Sequence, residues 1–191
     1  MTEWKSDQLV FLDESAANEQ TPNWRYEWTP RGFSCHVRRS CKRSHHWSIL
    51  SAISLADYIA VDVYQKSYNS SRFRKFVHFH VLSKCILKYN VLVMNNFNTH
   101  QSSKLVKLCR KVSVELVFLP SYLLNYNLIE QSFHVLKKWM WRHQDIAKSS
   151  QYKNDYEEFI WLAIRFFMKE KNASEYFKSS DIEYNQESYY I

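Results

Sequence analysis

The sequence predicts an α/β protein, a mixed sheet with helices on both of its faces. Three observations carry that expectation. Strand-length apolar runs come first in the chain. From Ser70 onward, segments with apolar residues three and four apart alternate with further strand-like runs. Hydrophobic residues make up 46% of the 191 residues and aromatics 17%, which supplies a core and argues against global disorder.

Gln8–Leu12 (QLVFL) reads as a buried strand that ends in Asp13-Glu14-Ser15. Asn23–Trp28 (NWRYEW) alternates aromatic and polar residues as a strand does, and Thr29-Pro30-Arg31-Gly32 closes it with a turn. Trp47–Leu55 and Tyr58–Tyr64 form an expected hairpin, although Ala56-Asp57 between them are poor turn formers. Ser70–Lys84 carries Phe73, Phe76, Val77, Phe79-His80 and Val81 at amphipathic helical spacing. Asn90–Met94 is a continuous apolar run, the pattern of a strand covered on both faces. A helix over Ser102–Lys111, a strand over Val114–Leu119 and a helix over Ile129–Gln144 follow, the last with Phe133, Leu136, Lys137 and Met140 along one side. An aromatic-rich helix spans Tyr156–Met168, and the tail from Lys171 is polar. The chain divides into a unit over residues 8–147 and a C-terminal helix with its tail over 148–191, with no repeat and no interdomain linker.

Lys and Arg total 26 against 19 Asp and Glu, a net charge of +7. That balance suits a polyanionic partner and equally suits a basic soluble protein. No stretch approaches the roughly 20 apolar residues that cross a bilayer, and the N-terminus has no signal-peptide core. An intracellular protein whose Cys35, Cys41, Cys85 and Cys109 are free thiols is expected. Cys35 and Cys41 beside His45 and His46 suggest zinc only weakly, because five residues intervene where structural zinc sites use two to four. Glycine occurs once and proline three times, far below the usual shares of about 7% and 5%.

Three positions carry potential chemistry. Asp13 follows one apolar strand, Asn95 follows another, and Glu130 opens a helix after a third. Groups at the carboxyl ends of neighbouring strands meet in one crevice, where α/β sheets bind ligands. Oxygen ligands there suit Mg²⁺. Two ions about 4 Å apart would activate an attacking oxygen and steady a leaving one in phosphoryl transfer. The plain alternative is that such strand-end residues are solvated loop starts.

Several ordered segments decide between these readings. VLVMNNFNTH (Val91–His100) resembles V-L-V-M-D-N-x-x-x-H, and LPSYLLNYNLIEQSF (Leu119–Phe133) resembles L-P-P-Y-S-P-D-L-N-P-I-E-x-x-F, both of mariner-like DDE superfamily endonucleases. LVFLDES (Leu9–Ser15) looks like that family's first catalytic strand, and WTPRG (Trp28–Gly32) like its W-[ST]-P-x-G turn. Thirty-four residues lie between Asn95 and Glu130, the spacing of the mariner-like branch. The resemblance covers roughly Leu9 to His143 and is similar to fungal copies of the family.

The resemblance implies a ribonuclease-H-like fold: a mixed five-stranded sheet of three antiparallel strands, then alternating helix and strand, flanked by helices. It implies a transposase catalytic domain over residues 8–147 that cuts and joins DNA with Mg²⁺. Asp13, Asn95 and Glu130 map onto the three metal-binding acids. Asn95 departs from the pattern, offering one neutral amide oxygen where the family has a carboxylate. Asn96 cannot stand in, because the next residue along a strand points to the opposite face. Glu14 could stand in only if its strand had already ended. Loss of DNA cleavage is therefore expected. The alternative is a domesticated DNA-binding or protein-interaction module that keeps the fold without cutting.

Other departures share one direction. Pro is replaced by Ser121, Leu124 and Leu128, Ser by Leu123, Asp by Asn95 and Asn125, and Gly by Asp57 and Lys66. Each change is reachable by C-to-T or G-to-A steps, two of them for Gly to Lys, which also accounts for the glycine and proline deficit and suggests decay by cytosine deamination, with ordinary drift as the alternative. Arg38, Arg39, Lys42 and Arg43 form a basic stretch that either grips DNA phosphates or is simply solvated. His100 occupies the motif histidine, as a neighbour of the metal site or as a surface residue at a helix start. Trp24, Trp28, Trp139, Trp141 and Trp161 read as core rather than as a base-stacking platform. The expected partner is DNA without sequence specificity, since the chain starts almost at its first catalytic strand and no recognition helix precedes it. A homodimer is an open alternative, and the nucleus is the location the fungal resemblance implies.

Overall fold

The computed structural model describes residues 4–19, 21, 30–32, 45–54, 58–88, 90–95, 103–119, 127–152 and 155–170. The strand expected over Asn23–Trp28, the Ala56-Asp57 turn, Cys35, Cys41 and the tail from Lys171 lie outside those residues.

Five strands form one sheet: β1 (Leu9–Asn18), β2 (His46–Ser54), β3 (Tyr58–Gln65), β4 (Val91–Asn95) and β5 (Glu115–Leu119). Their spatial order is β3-β2-β1-β4-β5. β1 pairs antiparallel with β2, and β2 with β3, while β4 lies parallel to β1 and β5 parallel to β4. Three antiparallel strands followed by two that alternate with helices is the ribonuclease-H-like arrangement expected.

Each sheet face carries its own helices because side chains alternate along a strand. On one face Val10, Leu12, Leu50, Leu92 and Met94 pack under α1 (Ser70–Phe76), a π-helical segment Val77–Leu82, α2 (Ser83–Lys88) and α3 (Ser103–Lys111). On the other, Phe11, Ile49, Ile53, Val91 and Val93 pack under α4 (Leu128–Arg142) and α6 (Tyr156–Glu170), with α5 (Gln144–Lys148) at the end of α4. Phe159 and Ile160 of α6 are fully buried in that second layer.

The π-helical turn changes one expectation. Phe79 belongs to the apolar spacing in the sequence, yet its side chain is 63% exposed. A wider turn advances the phase by about one residue. The buried face therefore runs Phe73, Phe76, Val77 and then Val81, Leu82 and Cys85, leaving His80 outside. Cys85 and Cys109 are buried free thiols, and burial pushes them up to about 12 and about 11, so neither is a nucleophile at neutral pH.

Among the described residues, two that are not glycine stand in backbone conformations that favour glycine. Ser113 has φ 58 and ends α3, where the Val114 and Ser113 N–H groups donate to the Cys109 and Arg110 carbonyls. Lys66 has φ 105, and its N–H donates to the His46 carbonyl just past β3. An L side chain is strained there, by about 1–2 kcal/mol. Lys66 is also a position where the family resemblance expects glycine. The Lys66→Gly variant should therefore be more stable than the parent by about 1 kcal/mol in urea unfolding; equal or lower stability would show that the strain is compensated locally.

Candidate active site

The parallel β1–β4 register builds the site. Leu12 pairs with Met94 as the last rung of that ladder. Asp13 and Asn95 follow, one on each strand. Asp13 shares the face of Phe11 and Asn95 the face of Val93, so both project toward α4. Asn95 Nδ2 donates to Asp13 Oδ2 at 2.8 Å.

Asp13 does not end its strand, contrary to the sequence expectation. β1 continues to Asn18 because β2 keeps pairing with it, from Val10↔Ser54 to Asn18↔His46. Asn95 is the last described residue of β4, and it pairs with Leu119 of β5. Because β1 continues, Glu14 points to the opposite face and cannot replace a ligand on the Asp13 side.

α4 supplies the rest. Glu130 stands in its first turn, where a carboxylate also suits the positive end of the helix dipole. Asn127 is the N-cap residue of α4 and only 2% exposed. Its Nδ2 donates to Asp13 Oδ2 at 3.0 Å and to Asn95 Oδ1 at 3.3 Å. Asp13, Asn95 and Asn127 thus form a closed ring of three hydrogen bonds. Asp13 Oδ1 accepts the Glu14 backbone N–H at 2.8 Å.

Asp13 is 9% exposed, and burial pushes its carboxyl up to about 6. The Glu14 N–H opposes that rise, the Glu130 and Glu14 charges add to it, and the Asn127 amide opposes it. The Glu130 charge is therefore close enough to act on Asp13.

These donors do not fit a two-ion Mg²⁺ centre. A carboxylate oxygen only accepts, so both amide NH₂ groups must turn toward Asp13 Oδ2. Asn95 consequently presents a donor where a shared carboxylate would present acceptors. Of the three positions the resemblance aligns with metal-binding acids, only Asp13 and Glu130 are carboxylates. Among the described residues, no group of three or more His, Cys, Asp or Glu side chains could hold a metal ion.

The structure thus brings Asp13 and Asn95 together at the mouth of α4, which carries Glu130. Arg38, Arg39, Lys42, Arg43 and His100 lie outside the described residues. Sequence reasoning missed Asn127. It reads as an ordinary helix cap, and its only signal is that the resembling segment also carries Asn three residues before the acid.

Residues 8–153, more than half of the chain, match the family of DDE superfamily endonucleases. No curated protein matches the chain. Among solved structures, the Mos1 transposase paired-end complex with left transposon end aligns with a TM-score of 0.69 at 11% identity, over 92% of this chain and 52% of that one. The Mos1 mariner paired end complex with Mn gives 0.68 at 10%, over 91% and 52%. The Mos1 transposase catalytic domain with raltegravir and Mg gives 0.58 at 9%, over 91% and 77%. At such identities the likeness is one of fold. The chain spans about half the length of the first of these structures.

The raised Asp13 carboxyl has a stability consequence with a defined sign. The folded state holds the protonated form better than the unfolded state does. The contribution is close to neutral below pH 4, grows unfavourable as pH rises from there, and reaches its full size above about 6. In metal-free protein this group should cost roughly 3 kcal/mol of unfolding free energy between pH 4 and pH 7. Urea titrations across that range should show a fall that the Asp13→Asn variant lacks; the same fall in both proteins would place it elsewhere.

Proposed function

The chain belongs to the DDE superfamily endonucleases, and from that premise we propose that it is a degenerate transposase catalytic domain that no longer cleaves DNA. One observation carries the reading: the Asn95 amide donates into the Asp13 carboxylate, where the family resemblance places a second metal-binding acid. Asp13 and Glu130 are the remaining acids, and Mg²⁺ held by them alone is bound weakly. A neutral amide does not offset divalent charge as a carboxylate does.

Its partner is DNA, held without sequence specificity through backbone phosphates. The net charge of +7 supports that partner. The similar Mos1 transposase paired-end complex was solved with a left transposon end, which supports the same class of ligand.

With Mg²⁺ or Mn²⁺ the purified protein should not nick supercoiled DNA, and Asn95→Asp should tighten Mn²⁺ binding at least tenfold by calorimetry, with nicking as the stronger outcome. Metal-dependent nicking by the parent that vanishes in Asp13→Ala would overturn the reading. DNA affinity should fall steeply with salt, and replacing Arg38, Arg39, Lys42 and Arg43 with alanine should reduce the logarithmic salt slope by about 3–4. An unchanged slope would remove that stretch from the interface.

A further inference from the structure

Asn127 has a use that its place at a helix start does not explain. An asparagine at an N-cap ordinarily turns its side-chain oxygen onto a backbone N–H of the first turn. Asn69 does this at α1, accepting the Arg72 N–H at 2.8 Å. Asn127 holds a similar φ, −85 against −89, but caps nothing with its side chain. It is almost fully buried and spends both amide hydrogens on Asp13 Oδ2 and Asn95 Oδ1. A helix start thus gives up its own side-chain cap to reach two strands.

The chemistry of the ring explains the exchange. An aspartate at position 95 would set a second acceptor against Asp13 Oδ2 at the 2.8 Å now spanned by a hydrogen bond. Asn127 alone could not neutralise two carboxylates, so that arrangement calls for a cation. Asparagine at 95 removes one charge and turns a donor inward, and the ring then closes on protein atoms alone.

We infer that Asp13, Asn95 and Asn127 form a metal-independent clasp that ties β1, β4 and α4 together, so that a former ion site now serves as a structural lock. The inference rests on the reading of Asn95 as the lost second acid. The clasp joins three elements far apart in sequence, positions 13, 95 and 127. Asn95 is therefore both the change that weakens cation binding and the change that makes a cation unnecessary for the fold.

Thermal unfolding of the full chain in EDTA and in excess Mn²⁺ tests this. The parent should gain far less from Mn²⁺ than Asn95→Asp does. Asn95→Asp should melt roughly 5 °C lower in EDTA and recover in Mn²⁺, and Asn127→Ala should melt roughly 5 °C lower in both. If Asn127→Ala does not fold, the parent and Asn95→Asp suffice. The Asn95 and Asn127 side-chain amide hydrogens should exchange slowly by NMR, at rates that Mg²⁺ leaves unchanged. A parent whose melting temperature rises with Mn²⁺ as much as that of Asn95→Asp, or fast exchange at these two amides, would overturn the clasp. DNA nicking by the parent would instead sink the loss of cleavage while leaving the melting and exchange results to judge the clasp.

Discussion

The parallel pairing of β1 with β4 is the constraint on which the rest of the molecule depends. Among the described strands, β1 alone has an antiparallel neighbour on one side and a parallel neighbour on the other. It therefore joins the hairpin half of the sheet to the half built with crossover helices. Its alternation sends Val10 and Leu12 into one helical layer and Phe11 into the other, so both cores are anchored on the same few residues. A one-residue slip against β4 would exchange the two faces and separate Asp13 from Asn95.

Given that register, hydrogen-bond chemistry decides the character of the site. A buried carboxylate needs donors or a cation. The two asparagines provide donors from β4 and from the start of α4, and Glu130 contributes a second negative charge nearby. The Asp13 carboxyl still rises to about 6, because burial outweighs the hydrogen bonds that favour its charged form. The same cluster can thus be read as a weakened ion site or as a completed hydrogen-bond ring.

The glycine deficit has a physical trace in the backbone. Lys66 and Ser113 are the two described non-glycine residues with positive φ, and both sit at chain reversals where glycine carries no steric penalty. The fold keeps these conformations because neighbouring backbone hydrogen bonds hold them, from Lys66 to His46 and from Ser113 to Arg110.

The sequence by itself determined the fold class, the five strands of the described sheet and the helices between them. Apolar periodicity is a local signal, and the strands β4 and β5 stand within a residue or two of where it places them. It also singled out Asp13, Asn95 and Glu130 through ordered motifs. Only the tertiary structure decided that β1 runs on past Asp13, because that extension depends on pairing with β2, from Glu14↔Leu50 to Asn18↔His46, far away in the sequence. The outward turn of Phe79 was likewise hidden, since a π-helical turn shifts the phase that amphipathic spacing assumes. Asn127 was hidden for the deepest reason. In sequence it is one polar residue before a helix, and its role exists only where a cap from α4 meets the ends of two parallel strands.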